Sequence, residues 1–133
     1  MSEVSEGRKL ENLGYESLQK NNIREAESSF LAALKEMEKE GDETGQAYVL
    51  GNLGNISFQN KQFDKAEEFY TRSLTFMEKL KDVKGIESSL GNLGNVHFYQ
   101  GNFDKAEENY QKAMTIVLAV SYTHLTLPTK RIV

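Results

Sequence analysis

Leu90 to Thr115 reads LGNLGNVHFYQGNFDKAEENYQKAMT, and forty residues earlier Leu50 to Thr75 reads LGNLGNISFQNKQFDKAEEFYTRSLT. The two align without a gap through LGNLGN, Phe58 and Phe98, FDKAEE, and Tyr70 and Tyr110. A further step of forty reaches Leu10, Leu13, Gly14, Ala26, Phe30 and Ala33. A fixed period of this length restricts the fold more than any local motif does. It describes a stack of like units, each burying its apolar face on the next.

Within one unit the apolar residues recur at three- and four-residue steps, the spacing of a helix face. Two helices fit each unit. The expected helices cover residues 1–20, Ile23 to Glu40, a segment from Asp42 to about Asn60, Phe63 to Leu80, Val83 to Gln100 and Phe103 to Ala119. Leu10, Leu13, Ser17 and Leu18 face inward from the first. Ala26, Phe30, Ala33, Leu34 and Met37 do so from the second, and Leu50, Leu53, Gly54 and Ser57 from the third. Ala66, Tyr70, Ser73, Leu74 and Met77 form the stripe of the fourth. Gly41 accepts the left-handed conformation that ends a helix, and Asp42 and Asp82 are placed to cap the helices that follow. The expectation is an all-α solenoid of three helix-turn-helix repeats, about 7–42, 43–82 and 83–119, coiled as a right-handed superhelix.

Gly54 and Gly94 fall in mid-helix, where glycine costs about 1 kcal/mol against alanine. Close approach of the partner helix would offset that cost. Ala26, Ala66 and Ala106 are the expected small partners of Gly14, Gly54 and Gly94, with Phe63, Tyr70, Phe103 and Tyr110 filling the space on either side.

Composition removes several functions. Twenty acidic residues against sixteen basic ones leave a net charge of −4, so no basic surface for nucleic acid is implied. The chain has no cysteine and two histidines, His97 and His124, which excludes a disulfide framework and a histidine-rich metal site. No apolar run approaches the ~20 residues of a membrane helix. The polar start MSEVSEGRKL lacks a signal core, so the expected location is cytoplasmic. No catalytic constellation, metal site or cofactor motif emerges. The acidic runs Glu36 to Glu43 and Glu107-Glu108 read as solvated helix faces, and His97 as a packed residue. GNLGN lies mid-helix and has no Walker lysine, which argues against phosphate binding.

These residues resemble the tetratricopeptide repeat. Its leucine-glycine pair, aromatic, small residue, aromatic and small residue correspond to Leu93-Gly94, Phe103, Ala106, Tyr110 and Ala113. The second repeat supplies Leu53-Gly54, Phe63, Ala66, Tyr70 and Ser73, and the first Leu13-Gly14, Ile23, Ala26, Phe30 and Ala33. The resemblance covers Leu10 to about Ile116. The usual period is about 34 residues, and forty with no proline after the second helix is similar to the long-helix subtype. Ser57 and His97 stand where the family places a buried aromatic, which leaves the packing there open.

The resemblance implies a non-catalytic scaffold that binds a protein or an extended peptide in the concave groove lined by the first helix of each repeat. On a helical wheel Asn55 and Phe58 lie opposite Leu50, Leu53 and Gly54. Asn95, Phe98 and Ser88 lie likewise in the third repeat, with Tyr15, Leu18 and Glu11 as their equivalents in the first. Asn52, Asn92, Gln59 and Tyr99 mark the edges. Exposed asparagines offer donors and acceptors to a peptide backbone. The lysines and arginines of a carboxylate clamp are missing, since the matching positions hold Glu11, Tyr15, Ser88 and Asn92. The bland reading makes these asparagines mere consensus residues or links between helices. Two other functional readings stand beside the groove. One is a regulatory sensor segment of a larger bacterial signalling protein, such as a sensor kinase or cyclase. The other is a structural array that self-associates through its exposed C-terminal repeat face.

The repeat pattern stops at Ala119. Val120 to Thr129 is similar to the translation of a transposon adaptor used in preparing sequencing libraries, so residues 120–133 read as a non-native tail. The alternative is a native irregular tail. If ordered, Tyr122, Leu125 and Leu127 would cover the exposed face of the last helix.

Overall fold

The computed structural model describes the backbone of residues 3–132 and the side chains of residues 3–122. Six helices follow one another: α1 (Glu6–Gln19), α2 (Ile23–Glu40), α3 (Glu43–Gln59), α4 (Phe63–Leu80), α5 (Val83–Tyr99) and α6 (Phe103–Ile132). No strand occurs among the described residues. Each helix packs mainly on its neighbours in sequence, which makes the fold an all-α solenoid of three helix pairs.

Five of the helices end in the same way. Asn21, Gly41, Lys61, Lys81 and Gly101 all take positive φ, between 57° and 83°. At each site the left-handed residue donates its N–H three residues back, and the next residue donates five residues back. Gly41 to Glu38 and Asp42 to Met37, at 3.3 and 2.9 Å, are one such pair. This double bond satisfies carbonyls that a helix end otherwise leaves unpaired. The next helix then starts at once. The Asp42 carboxylate accepts from the Gly45 N–H at 2.8 Å and Asp82 from the Gly85 N–H at 3.0 Å, as their spacing predicts. Ser5 caps α1 through the Arg8 N–H, so this helix begins at Glu6 and not at the N-terminus.

The buried core spans the junctions between repeats. Ala26, Phe30, Ala33, Leu34 and Met37 of α2 meet Val49, Leu50, Leu53 and Ile56 of α3. Ala66 and Tyr70 of α4 meet Leu93 and Val96 of α5. Full burial of one such large side chain contributes about 1.5–3 kcal/mol. The junctions share a polar stitch as well. Arg8 pairs with Asp42 at 3.1 Å, and forty residues on the Tyr48 hydroxyl donates to Asp82 at 2.7 Å.

Four expectations are corrected. Leu13 is 48% exposed, whereas Leu53 and Leu93 are buried. Those two leucines seat on the helix pair before them, and Leu13 has no such pair among the described residues. Phe103 is exposed for the mirror reason, because no later helix covers α6 among the described residues. The mid-helix glycines make room for rings and not for alanines. A Cβ on Gly54 would lie 2.6 Å from the Tyr70 ring, on Gly94 2.5 Å from Tyr110 and on Gly14 2.6 Å from Phe30. Finally, α6 does not stop at Ala119. No glycine or proline lies between Phe103 and Pro128, so nothing signals a stop, and the helix continues to Ile132. Tyr122 extends this helix and does not fold back over it. The side chains of Leu125 and Leu127 lie outside the described residues.

Candidate functional site

The first helices of the repeats line one side of the stack. Between α3 and α5 lies a cavity of about 350 Å³ bordered by Tyr48, Asn52, Asn55, Lys84, Ser88 and Asn92. A smaller one of about 240 Å³ adjoins it, bordered by Asn55, Phe58, Tyr70, Asn92 and Asn95. The structure therefore brings together Asn52, Asn55, Phe58, Ser88, Asn92 and Asn95. The forty-residue period explains why: equal positions on α3 and α5 recur at equal heights.

Three of the amides are held in place by the protein itself. The Tyr70 hydroxyl donates to Asn55 Oδ1 at 2.5 Å, and Tyr110 donates to Asn95 Oδ1 at 2.5 Å. Asn52 Nδ2 donates to the Tyr15 hydroxyl at 2.9 Å. Burial pushes the Tyr70 phenol up to about 12, so it remains a donor at any ordinary pH. Burial also raises Tyr15 and Tyr110. With its oxygen occupied by tyrosine, each of Asn55 and Asn95 keeps its amide N–H groups for something else.

The tyrosine partners are what a helical-wheel reading misses. The signal was present in the spacing: Asn55 and Tyr70 are fifteen residues apart, as are Asn95 and Tyr110. In the first repeat the same two positions hold Tyr15 and Phe30. There the polar pair becomes an aromatic one, with ring centroids 5.4 Å apart and edge-on.

The remaining expected residues occupy other surroundings. Phe58 stands edge-on to Phe63 and Tyr99, and Tyr99 stacks on Phe63 at 5.5 Å. Phe98 sits edge-on to Phe103 at 5.4 Å and borders a different cavity, on the outer side of α6. Gln59 is exposed at the end of α3. Ser57 and His97 are both buried without an aromatic. His97 Nδ1 meets Gln100 Oε1 at 3.1 Å, and Gln100 Nε2 in turn donates to Asp64 and Glu67. Among the described residues no cluster of three or more metal-ligating side chains forms. No helix of the described residues is long and apolar enough to cross a membrane.

Family models of the tetratricopeptide repeat match residues 47–76 and 88–116. In three dimensions the chain is similar to BtubC (BKLC) from P. vanneervenii, with a TM-score of 0.80 and 26% identity over 86% of this chain. It spans 48% of the BtubC chain, about half its length. The TPR domain of Arabidopsis FLU has a TM-score of 0.78 at 17% identity, covering 85% of this chain and 95% of that one. The N-terminal domain of stress-induced protein-1 (STI-1) from C. elegans has a TM-score of 0.71 at 14% identity, with 83% of each chain covered. At such identities these two show the fold alone. No curated protein matches the chain in sequence. Both family-model matches fall on units that the forty-residue period delimits, so residues 47–76 and 88–116 are tetratricopeptide repeats, in a long, forty-residue form.

Proposed function

We propose that the groove along α1, α3 and α5 binds an extended peptide segment of a protein partner. The repeats make the chain a protein–protein interaction scaffold, and the groove is the surface on it that best suits an extended backbone. One observation carries this reading. Gly91 lies in the middle of α5, and a Cβ built there would meet nothing within 4 Å. Its counterpart Gly51 would meet only the Ser73 hydroxyl, at 3.7 Å. Glycine in a helix interior costs about 1 kcal/mol, and here no packing within the fold offsets it. Gly51 borders the cavity between α3 and α5 beside Asn52, and Gly91 holds the equivalent place on α5 next to Asn92, so the floor of the groove stays low at Gly51 and the surface of α5 stays open at Gly91. That is the arrangement a peptide backbone needs for close approach.

The test is a library of extended peptides selected against the full chain, then measured on Gly91→Leu. Leucine is a good helix former and the site is open, so the melting curve is expected to hold or rise. The selected peptides are expected to weaken by about tenfold or more, a loss of roughly 1.4 kcal/mol. Equal binding to the variant would place the site elsewhere.

A second reading rests on the outer side of α6, where Phe98, Phe103 and Met114 stand more than half exposed. Patches of this kind mark association surfaces. Through it the chain would join a second copy or another protein, and sedimentation of the full chain over a concentration series distinguishes the two.

A further inference from the structure

The two walls of the cavity between α3 and α5 are unlike each other. On the α3 wall the polar groups are pinned by the protein: Tyr48 donates to Asp82, Asn52 donates to Tyr15, and Asn55 accepts from Tyr70. On the α5 wall stand Lys84, Ser88 and Asn92, at steps of four residues along one face of the helix. Among the described residues none of these three side chains has a hydrogen-bond partner, and Lys84 makes no ion pair. Lys84 is also the one charged side chain, among the described residues, that borders this cavity or the smaller one beside it.

The carboxylate two residues before it, Asp82, is already engaged. Asp82 accepts from the Tyr48 hydroxyl at 2.7 Å and from the Gly85 N–H at 3.0 Å. The Tyr48 bond first, then the Gly85 bond and the charge of Lys84, hold Asp82 below the usual carboxylate range. Nor does the repeat call for a cation here, since Thr44 and Val4 stand at the equivalent places forty and eighty residues earlier. Arg8, at the α1 position that matches Tyr48 and Ser88, is tied to Glu11 and Asp42 and offers no second free charge.

We propose that the peptide held in the groove carries an acidic side chain and that Lys84 selects it. The inference rests on the groove reading above and names what that groove accepts. The carboxylate lies against the Lys84 ammonium with the Ser88 hydroxyl as a second donor, and Asn92 offers its amide to the peptide backbone beside it. A charge-assisted bond of this kind is stronger than a neutral one. One cation matches the single charge of aspartate or glutamate. A phosphate group, with its higher charge, would call for further cations, and the described residues of the cavity supply none. The two adjoining cavities also give the segment a direction. Asn95, at the edge of the smaller one, is eleven helical residues beyond Lys84, about 16 Å. A segment in both cavities follows the seam of α3 and α5. Its acid stands at the Lys84 end, about five extended residues from the part beside Phe58 and Asn95.

The test uses the immobilised full chain and pools of short random peptides, acetylated and amidated at their ends. The pools carry glutamate, glutamine or phosphoserine at one fixed position. Glutamate peptides are expected to be retained about fivefold over their glutamine counterparts at low salt, and by less as salt rises. Lys84→Met should remove that preference without shifting the melting curve, and Lys84→Glu should turn it against acid. Equal retention of the glutamate and glutamine pools overturns the proposal, as does a preference that survives in Lys84→Met. If Gly91→Leu still weakens both pools in that case, the groove reading stands without it. Stronger retention of the phosphoserine pool overturns the choice of a carboxylate. A pool with a free C-terminus that outcompetes internal glutamate overturns the choice of a side chain, since the acid would then be a chain end. No retention of any pool overturns the groove reading and the proposal together.

Discussion

Gly54 and Gly91 are both mid-helix glycines, and the structure gives them opposite roles. At Gly54 the missing methyl group is the space that the Tyr70 ring fills. Gly54→Ala is therefore expected to destabilise by about 1–3 kcal/mol through overpacking, although alanine is the better helix former. Gly91→Ala meets nothing and is expected to stabilise by about 0.5–1 kcal/mol. Paired thermal melts check both signs. The need for a small residue at Gly54 was legible in the sequence, because a repeated cost implies a repeated reason. Its partner was not, because a helical wheel shows which way a residue points and not how far a ring on the next helix reaches. The asparagines show the same limit. Their placement on one side of the stack followed from the period, but the tyrosines that hold Asn55 and Asn95 come from the other helix of each pair. Replacing Asn55 by alanine would leave the Tyr70 hydroxyl without its partner, so that change tests folding as much as binding.

At the scale of helices, α2 and α4 begin and end where the apolar stripe and the turn residues place them. The ends are where this chain departs from the best local choice. Lys81 takes φ 57° at the site where the preceding repeat has Gly41 at 70°. A residue with a Cβ pays roughly 1–2 kcal/mol in the left-handed region, partly offset by the greater freedom that glycine loses on folding. Lys81→Gly is expected to raise stability by about 0.5–1 kcal/mol, read as a higher denaturant midpoint with an unchanged slope. The end of α6 was illegible for a different reason. A repeat predicts where its own pattern stops, but a helix stops only where a residue makes it stop, and none does before Pro128.

Across the whole molecule, packing runs from each helix to the next, and the repeat pattern ends at Ala119. A chain ending at Ala119 is expected to keep a cooperative melt, within about 0.5 kcal/mol of the full chain, as for changes away from packed features. Loss of cooperativity would make residues 120–133 part of the fold. The rings that fill the glycine sites record how support declines along the stack: Phe30 is 0% exposed, Tyr70 3% and Tyr110 38%. In a one-dimensional array each unit is only as secure as its neighbours. Opening therefore starts at the α6 end and travels inward, one helix pair at a time. Amide hydrogens should exchange fastest in α6 and slowest across α2 and α3, a graded protection map instead of a single global rate. Equal protection in α6 and α2 would mean that the stack opens as one unit.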